Sequence, residues 1–254
     1  MILLDLIARV VLFPILVVQA LNVRHVARQL PEAAGPRRGR VGSGDAFSLF
    51  ILGDSSAAGV GVKTQESALS GQLVRRLAAS RAVDWHLNAR TGRTTRQMLE
   101  EMDEDAPARV DIAVIALGVN DVTRGVPLPI WRRRQVRLIE RLRARGAQFI
   151  ILTALPPVHL FPLLPQPLRW VLGRQARRFD QTLVGLATAP DVVHLTIPIP
   201  DMSDRSLMAE DGFHPAAPTY ALWAEAAAKI IEQRLYRSTA CFFNVSKSQT
   251  SSAR

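Results

Sequence analysis

Short hydrophobic runs alternate with helical patterns along most of the chain. The strand-like runs occupy residues 47–52, 83–88, 110–117, 147–154 and 192–197. Their nearly continuous apolar character is typical of strands that are buried on both faces of a parallel sheet. Apolar residues recur at helical spacing within residues 66–80, 94–103, 131–145 and 216–234. This alternation predicts an α/β domain whose parallel sheet is covered by helices on both sides.

The segment before the first strand has a different pattern. Residues 1–23 are the most hydrophobic stretch, and a basic linker follows them. Asp5 and Arg9 disfavour a full transmembrane span, and the lack of basic residues at the start disfavours a signal peptide, although residues 18–20 resemble a cleavage site. We interpret residues 1–44 as an uncleaved membrane-associated helix and its linker, on the cytoplasmic or the periplasmic side. The alternative is a helix that packs its apolar face on the domain.

Two more segments fall outside the alternation. The first half of residues 156–178 contains five prolines among apolar residues, which disfavours a regular helix or strand there. This segment either lines an acyl-chain pocket, touches a membrane, or folds over the core as a loop. Residues 238–254 are polar and small, and they predict a disordered tail. Residues 45–237 would then form a single domain between these two ends of the chain.

Composition narrows the choice of partners. A single cysteine, Cys241, excludes an intrachain disulfide and a thiolate metal site, and no histidine and carboxylate grouping has metal-ligand spacing, so we predict neither a metal nor a cofactor. The net charge of +10 favours an anionic partner. We expect an anionic membrane surface and no nucleic acid, because the arginines of residues 131–145 are typical of a solvated helix face or of contact with acidic lipid.

Clusters of polar residues that could act in catalysis or binding follow the strand-like runs. Ser55 lies directly after the first run, and Asn120 directly after the third. The carboxyl ends of parallel strands are where ligands bind in open α/β sheets. Further along, Asp211 precedes His214 by three residues, a spacing that lets the carboxylate hold the imidazole in one tautomer. The alternative for residues 54–56 is that they cap a helix.

Taken together, these clusters resemble the blocks of the SGNH hydrolase family, also called GDSL-type esterases. The matching blocks, in order, are GDSS at residues 53–56, the glycine at Gly92, GVND at residues 118–121 and DGFH at residues 211–214. The resemblance spans roughly residues 47–234. Ser56 stands where the family name has leucine, and the family's chemistry depends on the serine before it. The resemblance implies a three-layer α/β/α fold with a five-stranded parallel flavodoxin-like sheet.

The resemblance also implies roles for individual residues. Ser55 would be the nucleophile, His214 the general base and then acid, and Asp211 the residue that orients His214. The oxyanion hole would be formed by the backbone N–H groups of Ser55 and Gly92 and by the side chain of Asn120. The implied function is a serine esterase acting on a small-molecule acyl ester, with lipid-like, lysophospholipid or thioester substrates open. Acyltransferase, deacetylase and catalytically silent binding module are the alternatives.

Overall fold

A computed structural model describes residues 2–26, 29–201 and 204–251, with side chains for residues 11–23, 25, 29–201 and 204–236. The strands are β1 (Arg38–Val41), β2 (Ala46–Gly53), β3 (Ala82–Ala89), β4 (Ile112–Ala116), β5 (Phe149–Thr153) and β6 (Val192–Leu195). The α-helices are α1 (Ile2–Val26), α2 (Leu69–Leu77), α3 (Thr95–Glu101), α4 (Val119–Thr123), α5 (Leu128–Ala144), α6 (Leu168–Leu186) and α7 (Ala217–Ser251). Short 3₁₀ turns lie at Val158–Leu160 and Arg205–Leu207.

The six strands form one sheet in the order β1-β3-β2-β4-β5-β6. The five strands from β2 to β6 are parallel, and their order confirms the flavodoxin-like arrangement. The predicted strand number is wrong by one, because β1 adds an antiparallel strand at the edge beside β3. Its sequence, Arg-Gly-Arg-Val, is exposed at every position, so it joins the sheet through backbone hydrogen bonds without a hydrophobic pattern.

Side chains alternate between the two faces of the sheet, as the pleat of a strand requires. On β2, Phe50 and Leu52 belong to a core that includes residues of α3, α5 and α6. Leu49 and Ile51 belong to a second core with residues of α2 and α7. Burial of each such side chain contributes about 1.5–3 kcal/mol. The two cores hold β2 and β4 rigidly, and both strands end at the same edge of the sheet.

The two terminal segments, which lie outside the predicted alternation, contain helix in the structure. Backbone helix covers residues 2–26, and within the described part of the chain no helix has both the length and the apolarity to span a bilayer. The side chains of Asp5 and Arg9 lie outside the described set. The sequence predicts a disordered tail over residues 238–254. In the structure, helix α7 continues to Ser251. After Pro218 the sequence contains neither proline nor glycine, so nothing in it breaks the helix.

The proline-rich segment packs largely on the core. Val158, Phe161, Leu164 and Leu168 are buried against the cluster that includes α5 and α6. This placement favours the loop folded over the core among the three predicted alternatives. Leu160, within the 3₁₀ turn of the same segment, remains exposed.

Candidate active site

The loop after β2 places Ser55 at the carboxyl edge of the sheet. Gly53 allows this turn because a Cβ there would lie 2.3 Å from the Ala57 side chain and 3.0 Å from the Ala116 carbonyl. The chain then forms a helical turn, in which the Val60 N–H donates to the Ser55 carbonyl at 3.0 Å. We call residues 53–61 the serine corner. Its serine side chain is buried apart from a small accessible fraction.

A second loop, residues 208–215, faces the serine corner, and we call it the histidine loop. The Asp211 Oδ1 atom accepts hydrogen bonds from the backbone N–H groups of Phe213 and His214 at 2.9 and 3.0 Å. Its Oδ2 atom lies 2.5 Å from His214 Nδ1. The Ala209 N–H donates to the His214 carbonyl at 2.8 Å and closes the loop. The geometry of the Asp211 and His214 pair is therefore set within eight consecutive residues.

The two loops meet at the imidazole ring. His214 Nε2 lies 2.9 Å from Ser55 Oγ. Because the Nδ1–H group is directed at the Asp211 carboxylate, the Nε2 lone pair is left to accept the hydroxyl proton of Ser55. The structure thus joins Ser55, His214 and Asp211 into one hydrogen-bonded chain, although 159 residues separate the serine from the histidine.

Backbone contact also joins the loops. Gly61, with φ +102°, lies so close to the histidine loop that a Cβ would be 2.2 Å from the Pro215 carbonyl oxygen. From α7, the Tyr220 hydroxyl donates to the Val60 carbonyl at 2.7 Å. Burial raises the pKa of Tyr220 well above its usual value, and the nearby Asp54 and Asp211 act in the same direction. The hydroxyl therefore keeps its proton and remains a donor.

The candidate oxyanion-hole residues surround the serine corner. The Asn120 Nδ2 atom donates to Asp54 Oδ2 and to the Arg93 carbonyl, both at 3.2 Å. These contacts place Asn120 between the serine corner and the turn that contains Gly92. Among the described residues, no acceptor takes a hydrogen bond from the backbone N–H of Ser55 or of Gly92. Both amides are therefore available to a ligand.

The turn at Gly92 is held from three sides. Glu32 Oε1 accepts from the Thr91 N–H at 2.5 Å, and Arg124 Nη2 donates to the Gly92 carbonyl at 2.8 Å. The third contact is the one from Asn120 to the Arg93 carbonyl. Glu32 and Arg124 were not among the candidate residues, because a side-chain bond to a distant backbone atom leaves no pattern in the sequence. Tyr220 was not a candidate residue for the same reason.

Two aspartates beside the candidate residues brace the turns through hydrogen bonds. Asp54 accepts from the Ser56 N–H at 3.1 Å as well as from Asn120. Burial raises its pKa to about 6, against the lowering effects of the Ser56 N–H, His214 and Asn120. Asp121 accepts two hydrogen bonds from Thr95 at 2.9 Å. These contacts tie α4 to the serine corner and to α3.

The other described histidines lack a hydroxyl partner. His86 pairs with Asp105 at 3.1 Å, and His194 pairs with Asp180 at 2.8 Å. His86 lies in β3 and His194 in β6. Across the described residues, no three histidine, cysteine or acidic side chains are grouped to hold a metal ion.

Two cavities lie beside other parts of the sheet. A cavity of about 830 Å³ lies beside Asp45, Phe47, Arg81 and Tyr236, at the amino end of β2 and so at the opposite end of that strand from Ser55. A second cavity, of about 600 Å³, lies behind the Gly92 turn and includes Glu32 and Arg93 in its lining. The hydrogen-bonded chain of Ser55, His214 and Asp211, which is the arrangement needed for nucleophilic chemistry, identifies the candidate site instead.

Comparison with known proteins supports the same conclusion about the family. The model of the GDSL-like lipase/acylhydrolase family matches residues 51–222, which is more than half of the chain. The chain belongs to this family. The match includes Ser55, Gly92, Asn120, Asp211 and His214. The expected SGNH hydrolase resemblance is therefore confirmed.

Individual relatives of this GDSL-like protein agree with the family assignment. A GDSL-like esterase of Mycobacterium tuberculosis is 28% identical over 186 residues, which is 70% of this chain but 59% of that relative. A structure of a G-D-S-L family protein from Desulfitobacterium hafniense has a TM-score of 0.59 at 16% identity, with 72% of this chain and 98% of that chain covered. An acetylxylan esterase from Geobacillus stearothermophilus has a TM-score of 0.54 at 18% identity, covering 74% and 94%. These two structures share the fold.

Proposed function

We propose that this GDSL-like protein is a serine ester hydrolase, with Ser55 as nucleophile, His214 as general base and then acid, and Asp211 as the group that orients His214. The observation that carries the proposal is the hydrogen-bonded chain, with 2.9 Å from Ser55 Oγ to His214 Nε2 and 2.5 Å from His214 Nδ1 to Asp211 Oδ2. A serine hydroxyl is a weak nucleophile until a base takes its proton, and the imidazole lies within reach to do so.

The reaction then takes two steps. Ser55 Oγ attacks the acyl carbonyl while its proton passes to His214 Nε2, and His214 returns that proton to the departing alkoxide. The result is an acyl-serine and a free alcohol. Water then attacks the acyl-serine while its proton passes to His214, the bond between the acyl carbon and Ser55 Oγ breaks, and His214 returns the proton to Ser55 Oγ as the carboxylic acid leaves. Asp211 stays ionised throughout, and it stabilises the imidazolium that forms twice in the cycle.

The negative charge on the carbonyl oxygen needs donors that are already in place. The free N–H groups of Ser55 and Gly92 serve this purpose, and Asn120 adds a third donor from its side chain. In the resting site both Asn120 N–H groups are engaged, by Asp54 and by the Arg93 carbonyl. We infer that Asn120 shares or exchanges one of these bonds when the oxyanion forms.

The substrate is an acyl ester, and lipid-like esters, lysophospholipids and thioesters all fit the proposed chemistry. Acyl transfer to an alcohol and removal of acetyl groups would proceed through the same acyl-serine. The acetylxylan esterase that shares the fold acts, by its name, on acetyl esters. Hydrolysis of a series of aryl esters of increasing chain length, with and without an added alcohol acceptor, separates these possibilities by their products.

The decisive test compares two adjacent serines. We expect Ser55→Ala to lower kcat for a short aryl ester by on the order of 10⁴-fold or more, because the nucleophile is lost. Ser56→Ala should retain activity close to that of the wild type, since the Ser56 side chain is outside the hydrogen-bonded chain. Thermal melts of both variants should match the wild type. Equal activity of the two variants would refute the proposal.

A further inference from the structure

Helix α1 packs on the protein through one narrow face. Among the described side chains of this helix, the partly buried ones are Leu12, Leu16, Gln19 and Val23, spaced by four, three and four residues. The Gln19 side chain donates to the Gln166 carbonyl at 2.6 Å and accepts from the Leu168 N–H at 3.0 Å. Leu16 and Val23 pack against the core cluster. One side of α1 is therefore anchored to the start of α6.

On α1, Asn22 and His25 are exposed polar residues, whereas every exposed side chain described between residues 11 and 21 is apolar. At about 100° per residue, these exposed side chains cover roughly 200° of the helix circumference, on the side away from α6. Trp170, half a turn beyond the Leu168 contact, is also exposed, at 38%. We call the apolar face the surface formed by Val11, Phe13, Ile15, Val17, Val18, Leu21 and Trp170. Apolar surface concentrated in this way marks an interaction site rather than ordinary protein surface.

The shape and charge of this region favour a lipid surface as the occupant. The apolar face is the convex side of one helix, which a fluid acyl phase accommodates without a matching groove. Helix α6 carries four arginines, Arg169, Arg174, Arg177 and Arg178, against the single acidic residue Asp180. The Arg174 guanidinium lies 5.2 Å from the Trp170 ring centre. A tryptophan beside arginines suits the boundary between acyl chains and anionic headgroups.

We propose that α1 and the start of α6 dock the protein on an anionic bilayer surface, with the apolar face inserted at the level of the headgroups and upper acyl chains. In this arrangement α1 lies along the bilayer plane, since its other side is packed on α6. The arginines of α6 meet lipid phosphates, and their contribution weakens as salt concentration rises.

The docking surface is connected to the candidate active site. The segment before α6 contacts the histidine loop, with the Phe161 and Phe213 rings 5.0 Å apart in an edge contact. The Phe213 ring is in turn 5.1 Å from that of His214. Docking would thus bring membrane-resident esters to the side of the site where His214 lies. This consequence, unlike the docking itself, rests on the proposed ester hydrolysis.

Vesicle sedimentation tests the docking with the full-length protein. We expect the wild type to sediment with vesicles of phosphatidylglycerol and phosphatidylcholine in equal parts, and less with phosphatidylcholine alone. Val18→Glu, at a position that is 67% exposed, should lower the partition coefficient on the anionic vesicles by about tenfold or more, because an inserted valine is replaced by a charge. The matched control is Val41→Glu on the edge strand β1, 45% exposed, which should bind like the wild type.

Fluorescence gives a second measurement that needs no charge substitution. Trp85, Trp131 and Trp223 are buried, so a blue shift of emission on adding anionic vesicles reports Trp170. The shift should appear in the wild type and be absent in Trp170→Phe, which keeps an aromatic side chain there. Hydrolysis of a soluble short-chain ester should be unchanged in Val18→Glu and Trp170→Phe, which separates failure of docking from failure of the proposed esterase.

Several results would overturn the proposal. Wild-type protein that ignores anionic vesicles would do so, as would equal partitioning of Val18→Glu and the wild type. A concentration-dependent dimer that Val18→Glu dissociates, in the absence of vesicle binding, would instead assign the apolar face to a second copy of the chain. Equal binding to anionic and neutral vesicles would refute the role of the arginines.

Discussion

The serine corner and the histidine loop each contain a buried aspartate, and the pKa values of these two residues move in opposite directions. Burial raises the pKa of Asp54 to about 6, and its hydrogen bonds with Ser56 and Asn120 only reduce that effect. Burial also acts to raise the pKa of Asp211, but hydrogen bonds from the His214 side chain and from the N–H groups of His214 and Phe213 outweigh it, so the pKa of Asp211 is lowered.

The difference shows how each loop is built. The histidine loop surrounds its carboxylate with donors from neighbouring residues, so it maintains a negative charge next to the imidazole. The serine corner takes its shape from two buried strands and from Asn120, which is 66 residues away. A charge in that corner is poorly compensated. The two loops should therefore respond differently when a carboxylate is replaced by an amide.

The largest effect should come from the histidine loop. We expect Asp211→Asn to lower kcat by about 10³–10⁴-fold, because an uncharged amide no longer fixes the tautomer of His214 or stabilises the imidazolium. The measurement is steady-state hydrolysis of a short aryl ester. Asp204→Asn is the matched control, since Asp204 is exposed and an amide oxygen can still accept from the Ser206 N–H. Activity of Asp211→Asn within tenfold of the wild type would contradict the orienting role.

Replacement of Asp54 tests the serine corner through the pH dependence of the free energy of unfolding. The unfolded carboxylate ionises near pH 3.8 and the folded one near pH 6. Below pH 3.8 both states are protonated and the folded state is not penalised. Between pH 3.8 and pH 6 the unfolded carboxyl ionises while the folded one keeps its proton, so the free energy of unfolding falls by about 3 kcal/mol over this range and levels off above pH 6. Asp211 acts in the opposite sense, since its stabilising effect is present above pH 3.8 and is lost on acidification.

We therefore expect the free energy of unfolding of Asp54→Asn not to fall with rising pH in this way. Its free energy of unfolding, measured by urea denaturation at pH 3.5 and pH 8, should rise relative to the wild type by about 3 kcal/mol between the two pH values. Asp45→Asn controls for the removal of a negative charge at an exposed position near β2. An unchanged pH dependence in Asp54→Asn would show that the buried carboxylate is not the source.

The smallest effect should come from the contact that α7 makes with the serine corner. Tyr220→Phe removes the donor to the Val60 carbonyl and leaves that buried acceptor unsatisfied. We expect a loss of about 1–3 kcal/mol in the free energy of unfolding, with a smaller change in kcat, since the Ser55 and His214 side chains keep their partners. Tyr236→Phe is the control, because the Tyr236 side chain is 76% exposed. Equal stability of the two variants would contradict the anchoring role.

The sequence predicted the elements whose hydrophobic pattern is strong. The runs at β2 and β4 are buried on both faces, and each ends in a polar cluster, so their positions and the placement of Ser55 and Asn120 near one edge could be derived from the pattern. The pairing of Asp211 with His214 could also be predicted, because it depends on a spacing of three residues. The catalytic roles of these residues stay predictions until the variants are measured.

Other features leave no such pattern. Strand β1 is exposed along its whole length and is held by backbone bonds, so Arg38–Val41 reads as a basic linker. The bonds from Arg124 to the Gly92 carbonyl and from Tyr220 to the Val60 carbonyl join residues 32 and 160 positions apart. Such contacts depend on the folded chain. The division into residues 1–44, 45–237 and 238–254 also remains a prediction.

The close approach of Gly61 to Pro215 has a practical consequence for engineering the substrate range. The two main chains touch there, so this contact limits how far the serine corner and the histidine loop can separate. Libraries that vary side chains along the 158–170 segment would leave this contact intact. One methyl group at position 61 would push the two segments apart, and that position should be kept constant in any redesign.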